Sequence, residues 1–195
     1  MKGIVRSEYF LQIRLRVFTE GTIPADLMTE KIDFKVSAEA LRIFCVDCLV
    51  KVGLNQEDAG TTSDNLIFAN LRGVDSHGVI RLKIYADRLR AGGIDCRARL
   101  QVVSQGGADA LVDANNGMGQ VAGVFGMKVA LERAAESGFG IVVVRNSNHF
   151  GAAAYYAMMA LKEGMIGFAA TNSGPSMAPS GGRQARLGNN PLAIA

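Results

Sequence analysis

The spacing of apolar residues in the first half of the chain predicts three short helices. Between residues 37 and 52, apolar positions recur at steps of three and four, which is the period of one helix face. Ser37 is a typical N-cap residue, and Gly53 is a typical residue just after a helix C-terminus. The same kind of spacing predicts a second helix over 55–71 and a third over 80–92. We expect the three helices to pack into an N-terminal bundle.

The second half of the chain has shorter apolar runs separated by turns, a pattern that predicts strands alternating with helices. Strand-like segments lie at 100–104, 108–113, 140–144, 165–171 and 191–195. The first two flank a Gln-Gly-Gly turn and predict a hairpin, whereas 140–144 is a continuous apolar run of the buried-strand type. Helical segments at 117–138 and 152–162 complete an α/β pattern. In open sheets of that class, sites lie where strands end and helices begin.

These patterns divide the chain into three parts. We predict an N-terminal helical region over 28–98, followed by an α/β domain over 99–195. Residues 1–27 lack the apolar core of a signal peptide and contain acidic residues that argue against a transit peptide. We interpret 1–27 as a disordered or artefactual extension, with Met28 as a candidate for the true start. The apolar run that ends the chain suggests an α/β domain that is incomplete at its C-terminus.

Composition limits the classes of partner. The 195 residues are 49% hydrophobic and 20% charged, and their net charge of +3 comes from Lys and Arg scattered along the chain. Nucleic-acid binding needs a clustered basic surface or stacking aromatic residues, whereas this chain has no Trp and only 7% aromatic residues. Its apolar runs also fall short of the roughly 18 residues that span a bilayer. We therefore expect a globular cytoplasmic protein that binds neither nucleic acid nor membrane.

Three cysteines, an odd number, indicate reduced thiols rather than a disulfide framework. Cys45 and Cys48 form a CxxC pair, which in other contexts marks redox or zinc chemistry. Here the pair lies inside a predicted helix, and no second Cys/His pair follows at the spacing of a zinc site. We therefore favour the interpretation that these two residues and Cys96 pack as small hydrophobic side chains, and we expect no metal.

The candidate chemistry lies in two polar turns, which contain the only histidines of the chain, His77 and His149. Histidine exchanges protons near neutral pH, and exposed turns on rigid scaffolds often carry function. Arg81 lies four residues after His77, so Arg81 can bind the carboxylate of a 2-oxo acid while His77 protonates the carbonyl oxygen. The alternative is structural. In that case Ser76 caps a helix, Arg81 is a surface charge, and His149 holds its loop through backbone contacts.

Two other patterns carry less weight. The glycines between 117 and 126 resemble a dinucleotide-binding fingerprint, but their spacing departs from GxGxxG and no acidic residue follows at the expected distance. Close helix packing through small residues is the favoured explanation. Ser76 as the nucleophile of a hydrolase lacks both the G-x-S-x-G context and the order of a catalytic triad.

Around the histidine turns the sequence resembles the malate/L-lactate dehydrogenase family, the type-2 group that includes ureidoglycolate dehydrogenase and diketogulonate reductase. Five segments match in the order of the family, and the resemblance covers essentially 37–195: 73–81, 85–93, 113–120, 146–151 and 188–193. The resemblance implies an NAD- or NADP-dependent oxidoreductase of small 2-hydroxy and 2-oxo acids, with a cofactor-binding fold that is not a Rossmann fold. It also implies a homodimer.

The same resemblance implies roles for individual residues. His77 is the catalytic acid/base, Ser76 and Arg81 bind substrate, and His149 belongs to the same active site, as the proton acceptor in some members. The implied cofactor site comprises Ser173, Pro179, Ser180, Gly181, Gly188, Asn190 and Pro191. Family members commonly have Thr where this chain has Asn189, and they continue well beyond residue 195. The leading hypothesis is a hydride-transfer enzyme, and the alternative is a truncated, non-catalytic remnant or interaction module of such an enzyme.

Overall fold

The computed structural model of the chain describes residues 10–14 and 33–195. Two short 3-10 turns, Asp75–His77 and Val79–Arg81, precede the third helix. None of the helices in the described residues is long and apolar enough to cross a bilayer. The arrangement confirms the α/β class predicted from the sequence. In chain order the strands and α-helices are β1 (Phe10–Arg14), β2 (Asp33–Ser37), α1 (Ala38–Lys51), α2 (Gln56–Asn70), α3 (Leu82–Arg90), β3 (Gln101–Gln105), β4 (Asp109–Asp113), α4 (Gly119–Ser137), β5 (Ile141–Arg145), α5 (Ala153–Leu161), β6 (Phe168–Ala170) and β7 (Leu192–Ile194).

The three helices predicted in the first half are α1, α2 and α3, and polar side chains cap the first two. The Ser37 hydroxyl accepts a hydrogen bond from the Ala40 N–H at 3.1 Å, and the Asn55 side chain accepts one from the Asp58 N–H at 2.9 Å. The apolar faces of the helices meet in one buried core, as predicted for a bundle. Its largest fully buried side chains include those of Leu49, Leu66 and Tyr85.

The cysteines belong to this helical core. Cys45 on α1 is buried, and burial raises the pKa of its thiol to about 12. Cys48 and Cys96 are half-buried and pack against the same cluster. All three are free thiols, and within 10–14 and 33–195 no group of three His, Cys, Asp or Glu side chains is placed to hold a metal ion. This arrangement agrees with the interpretation of the cysteines as packing residues.

The second half is built around a three-stranded sheet in the order β3-β4-β5. β3 and β4 are antiparallel, which confirms the predicted hairpin. β4 and β5 are parallel, with a register that runs from the pair Asp109 and Ile141 to the pair Asp113 and Arg145, and α4 forms the connection between them. The carboxyl ends of β4 and β5 therefore lie side by side, and the loop that carries His149 follows β5 at this edge.

The prediction that 140–144 forms a buried strand is wrong for one face of β5. Val142 and Val144 face α4, where the backbone at Gly126 leaves room for them. Ile141 and Val143 point to the opposite face and are 56% and 58% exposed. A continuous apolar run is typical of a strand covered on both faces, and within the described residues α4 covers only one face of β5.

A second, smaller core lies between α5 and the pair of strands that follows it. β6 and β7 are antiparallel, and Tyr156 and Ala157 of α5 pack against Ala169 of β6. Strand character at 165–171 and 191–195 is therefore confirmed, although each strand contains only three residues.

One described strand, β1, falls within residues 1–27. Phe10–Arg14 lies inside that segment, yet it pairs antiparallel with Asp33–Ser37, the strand directly before α1. The other residues of 1–27 lie outside the described residues, as does Met28. The division of the chain near residues 28 and 99 stays a prediction.

Glycines allow α4 to lie close against its neighbours, which supports the packing explanation of the glycine pattern. A Cβ atom at Gly123 would lie 2.5 Å from the Tyr156 ring of α5. A Cβ atom at Gly126 would lie 2.8 Å from Val144 of β5. Neither distance is compatible with a side chain, so α4 contacts both elements through its backbone.

We expect the substitution Gly123→Ala to lower the free energy of unfolding by about 1–3 kcal/mol, because the added methyl group overpacks the contact with the Tyr156 ring. Urea denaturation monitored by circular dichroism measures this change. Gly60→Ala in α2 is the matched control, since a Cβ there meets only the Arg42 side chain at an ordinary 3.5 Å. Alanine is the better helix former, so this control should be neutral or stabilising by up to about 1 kcal/mol. Equal effects of both substitutions would contradict the packing explanation.

Candidate active site

The turn that carries His77 is held in place by Asn70, near the end of α2. The Asn70 side-chain oxygen accepts a hydrogen bond from the Val79 N–H at 2.8 Å, and its amide nitrogen donates one to the Asp75 carboxylate at 2.5 Å. The backbone at Gly78 passes so close that a Cβ atom there would lie 2.2 Å from the Asn70 oxygen. One amide side chain therefore fixes the backbone on both sides of His77.

His77 is half-buried and has two polar neighbours from the same turn. The Ser76 hydroxyl lies 3.0 Å from His77 Nδ1, and Arg81 Nε donates a hydrogen bond to the Ser76 carbonyl oxygen at 2.6 Å. Ser76 does not cap a helix with its side chain, because neither 3-10 turn nor α3 has a side-chain cap. Burial, and then the positive charge of Arg81, lowers the pKa of His77 below its ordinary value.

The loop that carries His149 crosses over the N-terminus of α4. The Asn148 amide nitrogen lies 3.0 Å from the carbonyl oxygens of both Asn116 and Gly117, and it donates hydrogen bonds to this segment before α4. A Cβ atom at Gly119 would lie 2.4 Å from the His149 carbonyl oxygen. The glycine therefore permits a backbone contact that positions the histidine.

The far end of this loop is anchored to α2 by Asn65, a fully buried polar residue. The Asn65 side-chain oxygen accepts a hydrogen bond from the Ala152 N–H at 3.2 Å, and its amide nitrogen donates one to the Tyr156 hydroxyl at 3.2 Å. The Tyr156 hydroxyl in turn donates to the Phe150 carbonyl oxygen. Gly151 adopts φ +75° and leaves no space for a Cβ atom beside Asn65.

These contacts bring the two histidines together from opposite halves of the chain. The imidazole rings of His77 and His149 stack with centroids 5.4 Å apart and an angle of 26° between their planes. His149 is exposed as a residue, yet partial burial of its ring, followed by the positive charge of Arg81, lowers its pKa to about 4. His149 is therefore neutral at pH 7.

Two further residues of the site, Tyr85 and Gln120, were not among the predicted site residues. The Tyr85 hydroxyl lies 2.7 Å from His149 Nδ1, and the Gln120 amide nitrogen donates a hydrogen bond to that hydroxyl at 2.8 Å. Both side chains are fully buried. Tyr85 follows Arg81 by four residues on one helix face, so its position could have been noticed in the sequence. Gln120 ends the segment 113–120 that matches the family, but nothing in its local sequence distinguishes it as a site residue.

The histidines open onto a cavity of about 1320 Å³ between α4, β5 and the segments before and after α5. His77, His149 and Arg88 line this cavity, whereas Ser76 and Arg81 do not. Arg88 lies on α3 one turn beyond Tyr85 and was not among the predicted site residues. Neither Arg81 nor Arg88 forms an ion pair with a described residue. The structure thus places a second cation at the site beside the predicted one.

The predicted cofactor residues fall into two groups. Ser173 and Pro191 line the same cavity as the histidines, and Gly188 and Asn190 contact Ser173. The Ser173 N–H donates to the Asn190 side-chain oxygen at 2.9 Å, while its hydroxyl donates to the Asn189 side-chain oxygen at 2.8 Å. The second group does not line the cavity and forms an exposed turn: Pro179, Ser180 and Gly181.

Comparisons with known proteins give one consistent family. The family model described as malate/L-lactate dehydrogenase matches residues 36–195. A malate dehydrogenase of Pyrococcus abyssi is 50% identical over 161 residues, which are 83% of this chain and 44% of that protein. An L-sulfolactate dehydrogenase of Methanocaldococcus jannaschii is 42% identical over 150 residues, which are 77% of this chain and 44% of that protein.

A solved structure agrees with these matches. Malate dehydrogenase from Pyrococcus horikoshii has a TM-score of 0.79 and 42% sequence identity to this chain, and the match covers 99% of this chain and 49% of that one. The chain therefore spans less than half the length of these relatives.

We expect the chain to lose stability as the pH falls from about 6.5 towards 4. Unfolded histidine binds a proton below about pH 6.5, whereas folded His149 binds one only near pH 4. Between these values protonation favours the unfolded chain, so the free energy of unfolding decreases. His77 acts in the same direction because its pKa is also lowered.

Urea denaturation at several pH values in this window measures the effect, and His149→Gln should make the decrease shallower. The parent chain and the variant are compared by the slope of the free energy of unfolding against pH. The carboxylates common to both proteins contribute equally to this slope, so their titration cancels. A slope that is identical with and without His149 would contradict a lowered pKa of this residue.

Proposed function

The chain belongs to the malate/L-lactate dehydrogenase family, and we propose that it is a dehydrogenase of small 2-hydroxy acids that uses a nicotinamide cofactor. The observation that carries this proposal is the stacked pair of His77 and His149, which line one cavity beside Arg88. Oxidation of a hydroxy acid removes a proton from oxygen and a hydride from the neighbouring carbon. The histidines of the site can exchange this proton, and its arginines can bind the carboxylate of the acid.

His77 is the residue that we propose to exchange the proton. In the direction of oxidation, the neutral imidazole accepts the proton of the substrate hydroxyl, and in reduction the imidazolium returns it to the carbonyl oxygen. In the free site, burial and, after it, the positive charge of Arg81 lower the pKa of His77. A bound carboxylate beside Arg81 offsets the charge of Arg81, so substrate binding raises the pKa of His77 towards its ordinary value.

We propose that two arginines bind an acid with two negative groups: Arg88 lines the cavity, and Arg81, which does not line it, is close enough for its charge to act on both histidines. Arg81 is half-buried beside the His77 turn and is proposed, as the family resemblance implies, to bind the carboxylate next to the reacting carbon. Arg88 lines the cavity and is proposed to bind a second anionic group. Malate and sulfolactate, in the names of the two relatives above, each carry such a group. A dianionic substrate is therefore our specific proposal.

The residues around Ser173 fit a nicotinamide group. Ser173 and Asn189 line the cavity, and the Ser173 N–H and hydroxyl proton are donated to Asn190 and Asn189. The groups left for a carboxamide are the Ser173 hydroxyl oxygen as an acceptor and the Asn189 amide N–H as a donor. The cavity volume of about 1320 Å³ also exceeds the roughly 300–1,000 Å³ that is typical of a pocket for one small ligand. A bound nicotinamide would accept or supply the hydride. We propose NAD or NADP as the cofactor without a preference between the two. A homodimer and a cytoplasmic location are also part of the proposal.

We expect the chain to bind NADH or NADPH and to reduce oxaloacetate, with loss of the absorbance of the reduced cofactor as the measurement. His77→Gln should lower kcat by about 10²- to 10⁴-fold, because it removes the group that exchanges the proton. Arg90→Gln is the control on α3, since Arg90 is exposed and pairs with Asp87 away from the cavity. Absence of both cofactor binding and turnover would favour the alternative of a non-catalytic remnant.

We expect Arg88→Gln to change the preference among substrates. The loss of one charged hydrogen bond should lower kcat/KM for oxaloacetate and sulfopyruvate by about 10- to 100-fold. Pyruvate, which has a single carboxylate, should be reduced nearly as well as by the parent chain. Steady-state kinetics with the three acids test this difference. An equal loss for pyruvate would show that Arg88 does not select a second anionic group.

A further inference from the structure

We propose that Tyr85 is a positioning residue that fixes His149 as the tautomer with its proton on Nε2, so that His149 offers the cavity a hydrogen-bond donor. The proposal deepens the function proposed above, because it assigns different roles to the two histidines of that site. Its evidence is the chain of hydrogen bonds that links Gln120, Tyr85 and His149.

The positions of the protons follow from the three side chains linked by these hydrogen bonds. Gln120 donates its amide N–H to the Tyr85 oxygen at 2.8 Å. The Tyr85 hydroxyl has one proton of its own, and the second partner of its oxygen is His149 Nδ1 at 2.7 Å. If the oxygen accepted a hydrogen bond from Nδ1 as well, the buried hydroxyl proton would have no partner among the described residues, which is costly. The hydroxyl is therefore assigned as the donor to Nδ1, and a ring nitrogen that accepts a hydrogen bond carries no proton. In a neutral imidazole the single N–H must then be at Nε2.

The protonation states of both groups support this assignment. Burial raises the pKa of Tyr85 to about 12, so its hydroxyl keeps the proton that it donates. Burial and the nearby Arg81, His77 and Arg88 lower the pKa of His149 to about 4, so the ring carries only one proton at pH 7. No described carboxylate is among the groups that shift the pKa of His149.

The orientation of the Gln120 amide decides the direction of both hydrogen bonds in this network. When its amide N–H donates to Tyr85, the buried side-chain oxygen of Gln120 has no hydrogen-bond partner among the described residues. A reversed amide would accept the Tyr85 proton, but it would leave the amide N–H groups unpartnered in the same buried position. An unpartnered carbonyl oxygen is tolerated better than unpartnered N–H groups. The orientation in which the amide N–H donates to Tyr85 is therefore favoured, and it directs the Tyr85 proton towards His149.

The consequence is a division of roles between the two rings. The Tyr85 hydroxyl is hydrogen-bonded to Nδ1 of His149, so Nε2–H is the group that remains to donate a hydrogen bond to the substrate oxygen. A neutral imidazole in this state polarises a carbonyl by donating a hydrogen bond, and it does not accept the proton of a hydroxyl. Proton exchange is thereby left to His77. This role differs from the proton acceptor that the family resemblance implies for His149.

NMR of the ring nitrogens on the isotopically labelled chain tests the proposal directly, because the chain contains only two histidines. His77→Gln assigns the remaining signals to His149. At pH 7 we expect one protonated and one unprotonated nitrogen in His149, with the protonated one identified as Nε2 by its couplings to both ring protons. A proton on Nδ1 in the parent chain would overturn the proposal, and this measurement needs no variant of Tyr85.

Tyr85→Phe adds the positioning test, and Tyr155→Phe is its matched control. Without the hydroxyl, His149 should populate both tautomers, and its two nitrogen signals should move towards each other. Tyr155 packs edge-on against Phe68 and makes no hydrogen bond with the described residues through its hydroxyl, so its loss should leave the tautomer unchanged. An unchanged tautomer in Tyr85→Phe would show that Tyr85 does not set it.

These spectra are recorded without substrate or cofactor. A chain without turnover could therefore still show the Nε2 tautomer, and an active chain could show the Nδ1 tautomer. The two proposals can fail separately.

Discussion

The close approach of the His149 loop to α2 and α4 is the contact on which the rest of the site depends. Gly119 allows the loop backbone to cross the start of α4, and Gly151 allows it to turn against Asn65 of α2. Asn65 then binds both the Ala152 N–H and the Tyr156 hydroxyl. Since α2 also leads into the His77 turn, the same contact joins the helical half of the chain to the α/β half.

The site formed at this junction has an unusual electrostatic balance. Two neutral histidines lie beside Arg81 and Arg88, and the groups that lower the pKa of His149 are all positive or become positive. An empty site of this kind keeps its histidines unprotonated, whereas a bound anion shifts the balance towards protonation. Under the proposed function, substrate binding and proton exchange would therefore be coupled by charge.

The sequence predicted a large part of the fold because most elements have strong local signals. Ser37 caps α1 as expected, α2 begins after Asn55, and the hairpin of β3 and β4 forms around its glycine turn. The local pattern failed where the outcome depends on distant parts of the chain. The apolar run of β5 predicted a covered strand, yet one face is exposed, because burial depends on which elements pack against it. Pairing of β1 with β2 is likewise a tertiary contact that residues 1–27 do not reveal.

By itself, the sequence determined which side chains can exchange protons and bind acids, since it contains two histidines in polar turns and Arg81 one helical turn after the first. Only the tertiary structure decided that the two rings stack, that Arg88 rather than Arg81 lines the cavity, and that Tyr85 holds His149. The physical reason is distance along the chain. A cap or a helix face depends on residues three or four positions apart, whereas the partners in the site come from segments separated by tens of residues and meet only through packing.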